Sequence, residues 1–276
     1  MLFCNAFTHV LFAQQTKAEK STYHLFNPTP RNEMRAMHTD RPDITETPFT
    51  VDAGHYQFEF DFLSLNRHYL KRRRNETDLL LLNGIAKVGL TDFVDFELIF
   101  SAYQWHFPDS ELKAQSASIS RRRGFGDLGF RAKFNLLGNQ HESYGIAIMP
   151  SLALPLQNEA SEELYVPGIT AIWAYDLNEK WELGGQFEYH RIFDLDRKPL
   201  YNEYWATLQV GYEINQNFGF FAEYVAILSE DSDYLHTFNA GLIFEVNRDF
   251  HLDLAFNLGL NQLSPSAVFS GFSFRF

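Results

Sequence analysis

From Tyr56 to the C-terminus, apolar and polar residues alternate with a period of two. Tyr56, Phe58, Phe60 and Phe62 alternate with Gln57, Glu59 and Asp61; Val94, Phe96, Leu98 and Phe100 alternate with Asp95, Glu97, Ile99 and Ser101. Leu128, Phe130, Ala132 and Phe134 alternate with Gly129, Arg131, Lys133 and Asn135, and Phe250, Leu252, Leu254 and Phe256 flank His251 and Asp253. Successive side chains of a strand point to opposite faces, so each segment has one oily and one polar face. The pattern predicts strand cores at 55–66, 78–90, 93–104, 126–137, 143–155, 168–177, 180–191, 202–213, 218–228, 235–246, 249–261 and 267–276. Most of these could cross a hydrocarbon core at a tilt, whereas strands of soluble proteins average about 5 or 6 residues.

The connections support the same reading. Those at Thr91-Asp92, Asn178-Glu179 and Asn247-Arg248 are short and polar, whereas 105–125 is the longest. Alternation of short periplasmic turns with longer outer loops, an even strand count and a chain ending Phe272-Ser273-Phe274-Arg275-Phe276 predict a closed, antiparallel, all-β transmembrane barrel of about 12 strands over residues 54–276. The C-terminal aromatic strand has the form of an assembly signal, which names the barrel assembly machinery as a partner. Outer-membrane lipid and lipopolysaccharide are the others expected.

Ahead of the barrel, residues 14–53 hold Pro28, Pro30, Pro42 and Pro48 without lasting periodicity and read as an extended leader. Residues 1–13 are a candidate signal peptide, although a basic start is missing. Ile44, Pro48, Phe49 and Val51 would be exposed in a free tail. Thr39 to Val51 is therefore expected to fold against the periplasmic mouth as a partial plug, with Asp40, Arg41, Asp43 and Glu46 meeting lumen charges; a plain tether is the alternative.

Composition narrows the function. A formal net charge of -12 excludes nucleic acid as a partner, which needs a basic face. No run of eighteen apolar residues exists for a transmembrane helix. The single cysteine, Cys4, rules out an intrachain disulfide, and the scattered histidines have no metal-ligand spacing, so neither metal nor cofactor is expected. No compact Ser/His/acid stretch points to catalysis; Tyr189-His190-Arg191 and His236-Thr237 read as polar strand ends.

Several stretches, in order, resemble one family: Thr39-Asp40-Arg41-Pro42-Asp43 through Val51 with Gly54-His55-Tyr56, then Gly124-Phe125-Gly126-Asp127-Leu128, Pro167-Gly168 to Leu177, Phe221-Ala222-Glu223-Tyr224, and Leu252-Asp253-Leu254 to Asn261. The family is the outer-membrane transporters labelled for a MetA pathway of phenol degradation. The resemblance covers roughly residues 39–276 and implies a barrel that carries small molecules across the outer membrane; it carries over no binding residues.

Strand phase places Glu59, Asp61, Lys87, Asp95, Glu97, Arg131, Lys133, Glu188, Glu223, Asp253 and Arg275 on the inner face. Twelve strands give a backbone radius of about 12 Å and a lumen of about 10 Å at most, too narrow for an open porin. The inward charges have two readings: a selectivity lining for a small-molecule solute, or an ion-pair lattice filling the barrel. Asp253, Arg275 and Glu59 are expected to share one cluster at the seam between the first and last strands. Lys71, Arg72, Arg73 and Arg74, with Arg121, Arg122 and Arg123, make a basic patch in two outer loops, opposite acidic later loops. It is either a funnel for anions or a contact for lipopolysaccharide phosphates. Function therefore reads as a channel or transporter for small, aromatic or hydrophobic solutes, against a plugged structural or surface-interaction barrel, with a lipid-acting barrel enzyme a distant third.

Overall fold

A computed structural model of the protein describes residues 22–70, 74–108, 123–140, 143–156, 164–194, 200–230 and 234–276. The strands are β1 (Tyr56–Leu70), β2 (Arg74–Thr91), β3 (Val94–Pro108), β4 (Arg123–Gly124), β5 (Leu128–Leu137), β6 (Tyr144–Leu154), β7 (Leu164–Asn178), β8 (Trp181–Asp194), β9 (Leu200–Asn215), β10 (Phe218–Ser229), β11 (Leu235–Asn247), β12 (Phe250–Gly259) and β13 (Ser266–Arg275). Twelve of them form a closed antiparallel barrel. The two-residue β4 is an extra piece paired to the outer part of β3 at Gln104 and Trp105. No helix occurs among the described residues.

Closure is made by β1 and β13, from Gln57↔Arg275 to Arg67↔Ser266, so no edge is left with unpaired backbone groups. That is the condition for a sheet to survive in hydrocarbon. Tight turns hold the end that carries the barrel's C-terminus, which is therefore the periplasmic end. At one of them Gly138 has φ 85°, and a Cβ there would lie 1.7 Å from the Tyr144 carbonyl oxygen. Only glycine fits so close a return.

Alternation holds along most strands but slips in β1. Asp61 points inward and is buried, Phe62 and Leu63 both face out, and Ser64 is buried again. The register shifts there, opposite Leu82 of β2, which has φ 50°. This bulge re-aims the outer half of β1 by one residue, which strict period-two counting does not anticipate. A second irregularity sits in β6, where Pro150 has no N–H to give and pairing with β5 passes from Arg131↔Ser151 to Phe134↔Ile148.

Burial is inverted relative to a soluble protein. The fully buried large side chains include Lys133, Gln57, Glu59, Glu97 and Glu223, whereas Leu208 and Leu254 are 53% and 56% exposed. Phe96 and Phe134 are exposed as well. Phe60 and Phe274 face the same way but are half-buried, because aromatic rings along the seam stack on each other, with Phe58 and Phe274 centroids 5.2 Å apart. An apolar belt of this kind outside a closed barrel is a lipid contact. Leu254→Arg, midway along β12, should cost about 2–4 kcal/mol of unfolding free energy in lipid vesicles, and denaturant titration of refolded protein checks it.

Candidate functional site

The barrel is not empty. The chain ahead of β1 runs along the periplasmic rim, dips into the lumen and returns to the same rim. Leu25 N–H donates to the Leu90 carbonyl and Arg31 pairs with Asp249 at 2.6 Å. Asp40 to Thr47 lie deepest, and Val51 N–H donates to Asp95 at 3.0 Å on the way back. Four prolines and no apolar period leave this segment without a core of its own, so its backbone polar groups must find partners on the wall.

Asp40 is the centre of the contact. Its carboxylate takes Lys133 Nζ at 3.0 Å to each oxygen, pairs with Lys87, and accepts the Thr47 N–H at 2.8 Å. Lys87 also pairs with Glu59, and Glu59 in turn accepts the N–H groups of Asp40 and Arg41 at 2.9 and 3.0 Å. Lys133 reaches Glu97 at 3.2 Å. Glu46 pairs with Arg131, which lies 3.9 Å from Glu97. Burial opposes the charge on Asp40, but Lys133 and Lys87 outweigh it and hold its carboxyl well below the usual carboxylate range. For Glu46 burial comes first, and despite Arg131 its carboxyl is pushed well above that range.

A second contact lies across the seam. Arg41 donates to Asp253 through Nε and Nη2 at 3.1 and 2.7 Å, and to Asp61 through Nη1 at 2.5 Å. Gly271 makes room for it; a Cβ there would sit 2.3 Å from Arg41 Nη2. On the far wall, Glu223 accepts the Ile44 and Thr45 N–H groups at 3.1 and 2.6 Å and Asn239 Nδ2 at 2.7 Å. Gln186 donates to the Ile44 carbonyl and accepts the Glu46 N–H. Glu188 stands apart from the leader, bonded to His190 at 2.8 Å and to Gln186 at 2.6 Å.

The seam cluster expected of Asp253, Arg275 and Glu59 does not form. Each points inward, but each has its own partner: Arg41 for Asp253, Lys87 for Glu59, and for Arg275 the rim carboxylates of Asp249 (2.9 Å) and Asp52 (3.4 Å) together with the Arg35 carbonyl (3.0 Å). Arg275 is opposite Gln57, whereas Asp253 is opposite Gly271, so Arg275 stands nearer the rim. Sequence reasoning missed Asp52, Asp249, Arg35 and Asn139, which tie the leader to the rim. Asn139, in the turn after β5, bonds Thr50 in both directions. Turn polarity was their only signal. Lys71 to Arg73 and Arg121 and Arg122 of the basic patch lie outside the described residues, as do residues 1–21 and most of the acidic loop residues.

Asp40, Glu46 and Glu97 bring three carboxylate oxygens close together, as a cation site would. The position is already served by Lys133, Lys87 and Arg131, so the donor set does not call for a metal. On the β7–β12 side the leader leaves a cavity of about 410 Å³, reached from the periplasmic rim between Asn178, Lys180 and Arg248. Asp43, Glu182, Glu213, Arg41 and His251 line it.

A closed barrel with an apolar outer belt and a charge-paired interior is a membrane-spanning barrel of the outer membrane. The family model whose description names a MetA pathway of phenol degradation matches residues 39–276, and the protein belongs to that family. No curated protein sequence matches it. Among solved structures it is similar to an outer membrane channel from Pseudomonas putida F1, at 14% identity over 87% of this chain and 100% of that one, with a TM-score of 0.62. More remote likenesses are the KdgM porin (9% identity, 76% and 98% covered, TM-score 0.44) and the toluene transporter TbuX of Ralstonia pickettii (7%, 80% and 88%, 0.43).

Arg41→Ala leaves Asp61 and Asp253 buried without their shared cation, and a loss of about 3–5 kcal/mol is expected, read by denaturant unfolding of the refolded barrel. The docking of the leader should also depend on pH in two directions. The Asp40 contribution is present above its ordinary value of 3.8 and is lost as pH falls through the lower value it has in the fold. The Glu46 contribution is present below its ordinary value of 4.5 and is lost as pH rises through its raised value. A nitroxide at position 47 should be least mobile in the middle range and freer at both extremes. Glu46→Gln should remove the alkaline limb alone, and a flat profile in the unsubstituted leader would contradict the assignment.

Proposed function

We propose that the protein is a passive outer-membrane channel for small solutes, narrowed by its own N-terminal leader. One observation carries this reading. The ion-paired leader fills the β13–β5 side of the lumen, yet a cavity of about 410 Å³ stays open along β7–β12, within the roughly 300–1,000 Å³ range of small-molecule sites. The inner wall there is polar, as passage of a solute through a barrel requires. The family description points to small aromatic molecules as the class to test first. We assign the protein no catalytic step and no cofactor. Residues 14–53 act as a partial plug, residues 54–276 as the conducting barrel, and residues 1–13 as the export signal. The outer-loop runs Lys71-Arg72-Arg73-Arg74 and Arg121-Arg122-Arg123 are suited to lipopolysaccharide phosphates, and the β13 strand to the assembly machinery.

A second reading is a sealed structural barrel, favoured by the number of leader–wall ion pairs around Asp40 and Arg41. Single-channel recording in planar bilayers separates the two. The full-length channel should conduct weakly, and deletion of residues 22–47 should raise its conductance severalfold. If neither protein conducts, the channel reading fails; if both conduct equally, the leader is a tether and not a plug.

A further inference from the structure

We propose that Ser151, His190 and Glu188, gathered over Gly168 on the inner wall of β6–β8, form a station that binds the hydroxyl group of a neutral ring-shaped solute, with Trp205 beside it. The proposal rests on the channel reading and adds a specificity-determining site to it.

Cross-strand register builds the station. Ser151 lies directly opposite Gly168, and Gly168 directly opposite His190, so the three form one row across three strands. Gly168 has no side chain to separate its neighbours. A Cβ there would lie 2.5 Å from His190 Nδ1 and 2.7 Å from Ser151 Oγ, so both polar atoms lean over the same spot. One strand further, Glu188 lies opposite Trp205. The Trp205 indole is tethered by its Nε1–H to Glu203 at 2.7 Å, and its ring meets that of His190 at 6.1 Å and 71°.

The hydrogen bonds settle what the site offers. Glu188 takes the Nε2 side of His190 at 2.8 Å. A carboxylate accepts, so the proton of the neutral ring sits on Nε2 and Nδ1 presents a lone pair. Among the described residues, neither Nδ1 nor Ser151 Oγ has a hydrogen-bond partner. One acceptor and one hydroxyl donor, side by side, match a hydroxyl group, which gives one proton and receives one. Both His190 and Glu188 keep some exposure, 17% and 12% of their side chains, so a solute in the lumen reaches them. The flat neighbours suit a ring. Glu188 and Glu203 lie beside His190, while Arg131, opposite Ser151, is already paired with Glu46, so a carboxylate solute meets two carboxylates and no unpaired cation there.

Serine, histidine and carboxylate in this order also occur in hydrolases. Acyl transfer needs donors aimed at a developing oxyanion, but the strand backbone around Ser151 is committed to pairing with β5 and β7, and the nearby Arg131 is tied to Glu46. Binding is the chemistry this arrangement supports.

The test uses the full chain in detergent, ¹⁵N-labelled at histidine, with ion currents recorded from the same preparation. Phenol is the probe; toluene has the ring without the hydroxyl, and benzoate has the ring with a charge. Phenol should shift the His190 ring nitrogens, assigned by their loss in His190→Gln, and should reduce the ion current; toluene and benzoate should do neither. Ser151→Ala should weaken the phenol response roughly fivefold, the worth of one neutral hydrogen bond. Gly168→Ala should remove it by forcing His190 and Ser151 apart; Ser151→Ala deletes only an oxygen, so a folding defect in the glycine variant leaves the question decidable. The station is overturned if phenol leaves His190 unmoved, if toluene or benzoate moves it equally, or if the response persists in both variants. A missing ion current overturns the channel reading instead, and the His190 resonances still decide the station.

Discussion

Lys87 and Lys133 project from neighbouring regions of the barrel wall into its interior, where both are buried, and the carboxylate that joins them comes from outside the barrel sequence. Asp40 is bonded to both. Removing charge from water costs several kcal/mol per ion unless partners with good geometry replace the solvent. The wall also carries Glu59, Glu97 and Asp95, and the lysines answer part of that charge. Once Asp40 is in place, Arg41 is positioned at Asp61 and Asp253, and Glu46 at Arg131. The leader is thus held largely by the wall's electrostatics, with Met34, Met37, Val51 and Ala53 buried as well, which explains how a segment with four prolines and no hydrophobic period takes up one path.

The same constraint shapes what is left open. Ion pairs crowd the β13–β5 side, where the leader lies against the wall. On the β7–β12 side the wall residues Glu182 and Glu213 face the cavity. A lumen of this width cannot hold both a leader and a wide pore, so any solute path runs along the second side. The Ser151–His190–Glu188 group lies on β6–β8, further toward the outer end than the residues that line the cavity, at the row where Gly168 removes a side chain.

Much of the architecture was legible in the sequence because a lipid-facing strand writes its phase into every second residue. Leu254 and Asp253 are neighbours in the chain and opposite in exposure, and that contrast can be read directly. The bulge at Phe62-Leu63 was not legible, since two apolar residues in succession look the same whether or not the backbone slips. The inward charges could be listed from phase, but their partners could not. Asp253 meets Arg41 across 212 positions of chain, and no local pattern encodes so distant a meeting. The seam cluster differs from the phase-based expectation for that reason: Arg41, and not Arg275, meets Asp253. In sequence His190 looks like a polar strand end, because its relation to Ser151 exists only across Gly168 of an intervening strand.

The path of the leader bears on the order in which the molecule can be made. It enters and leaves the lumen by one mouth, with Leu25 at the rim on the way in and Asp52 at the rim on the way out. The described part of the leader, from residue 22 onward, is a folded-back loop and not a threaded strand. The cylinder can close first and admit the loop afterwards, and the loop can withdraw and return without any strand separating. For these residues insertion and closure are topologically independent events, and a barrel wall completed without its insert would lack the leader's ion-pair partners for Lys87, Lys133, Arg131, Asp61, Asp253, Asp249 and Arg275.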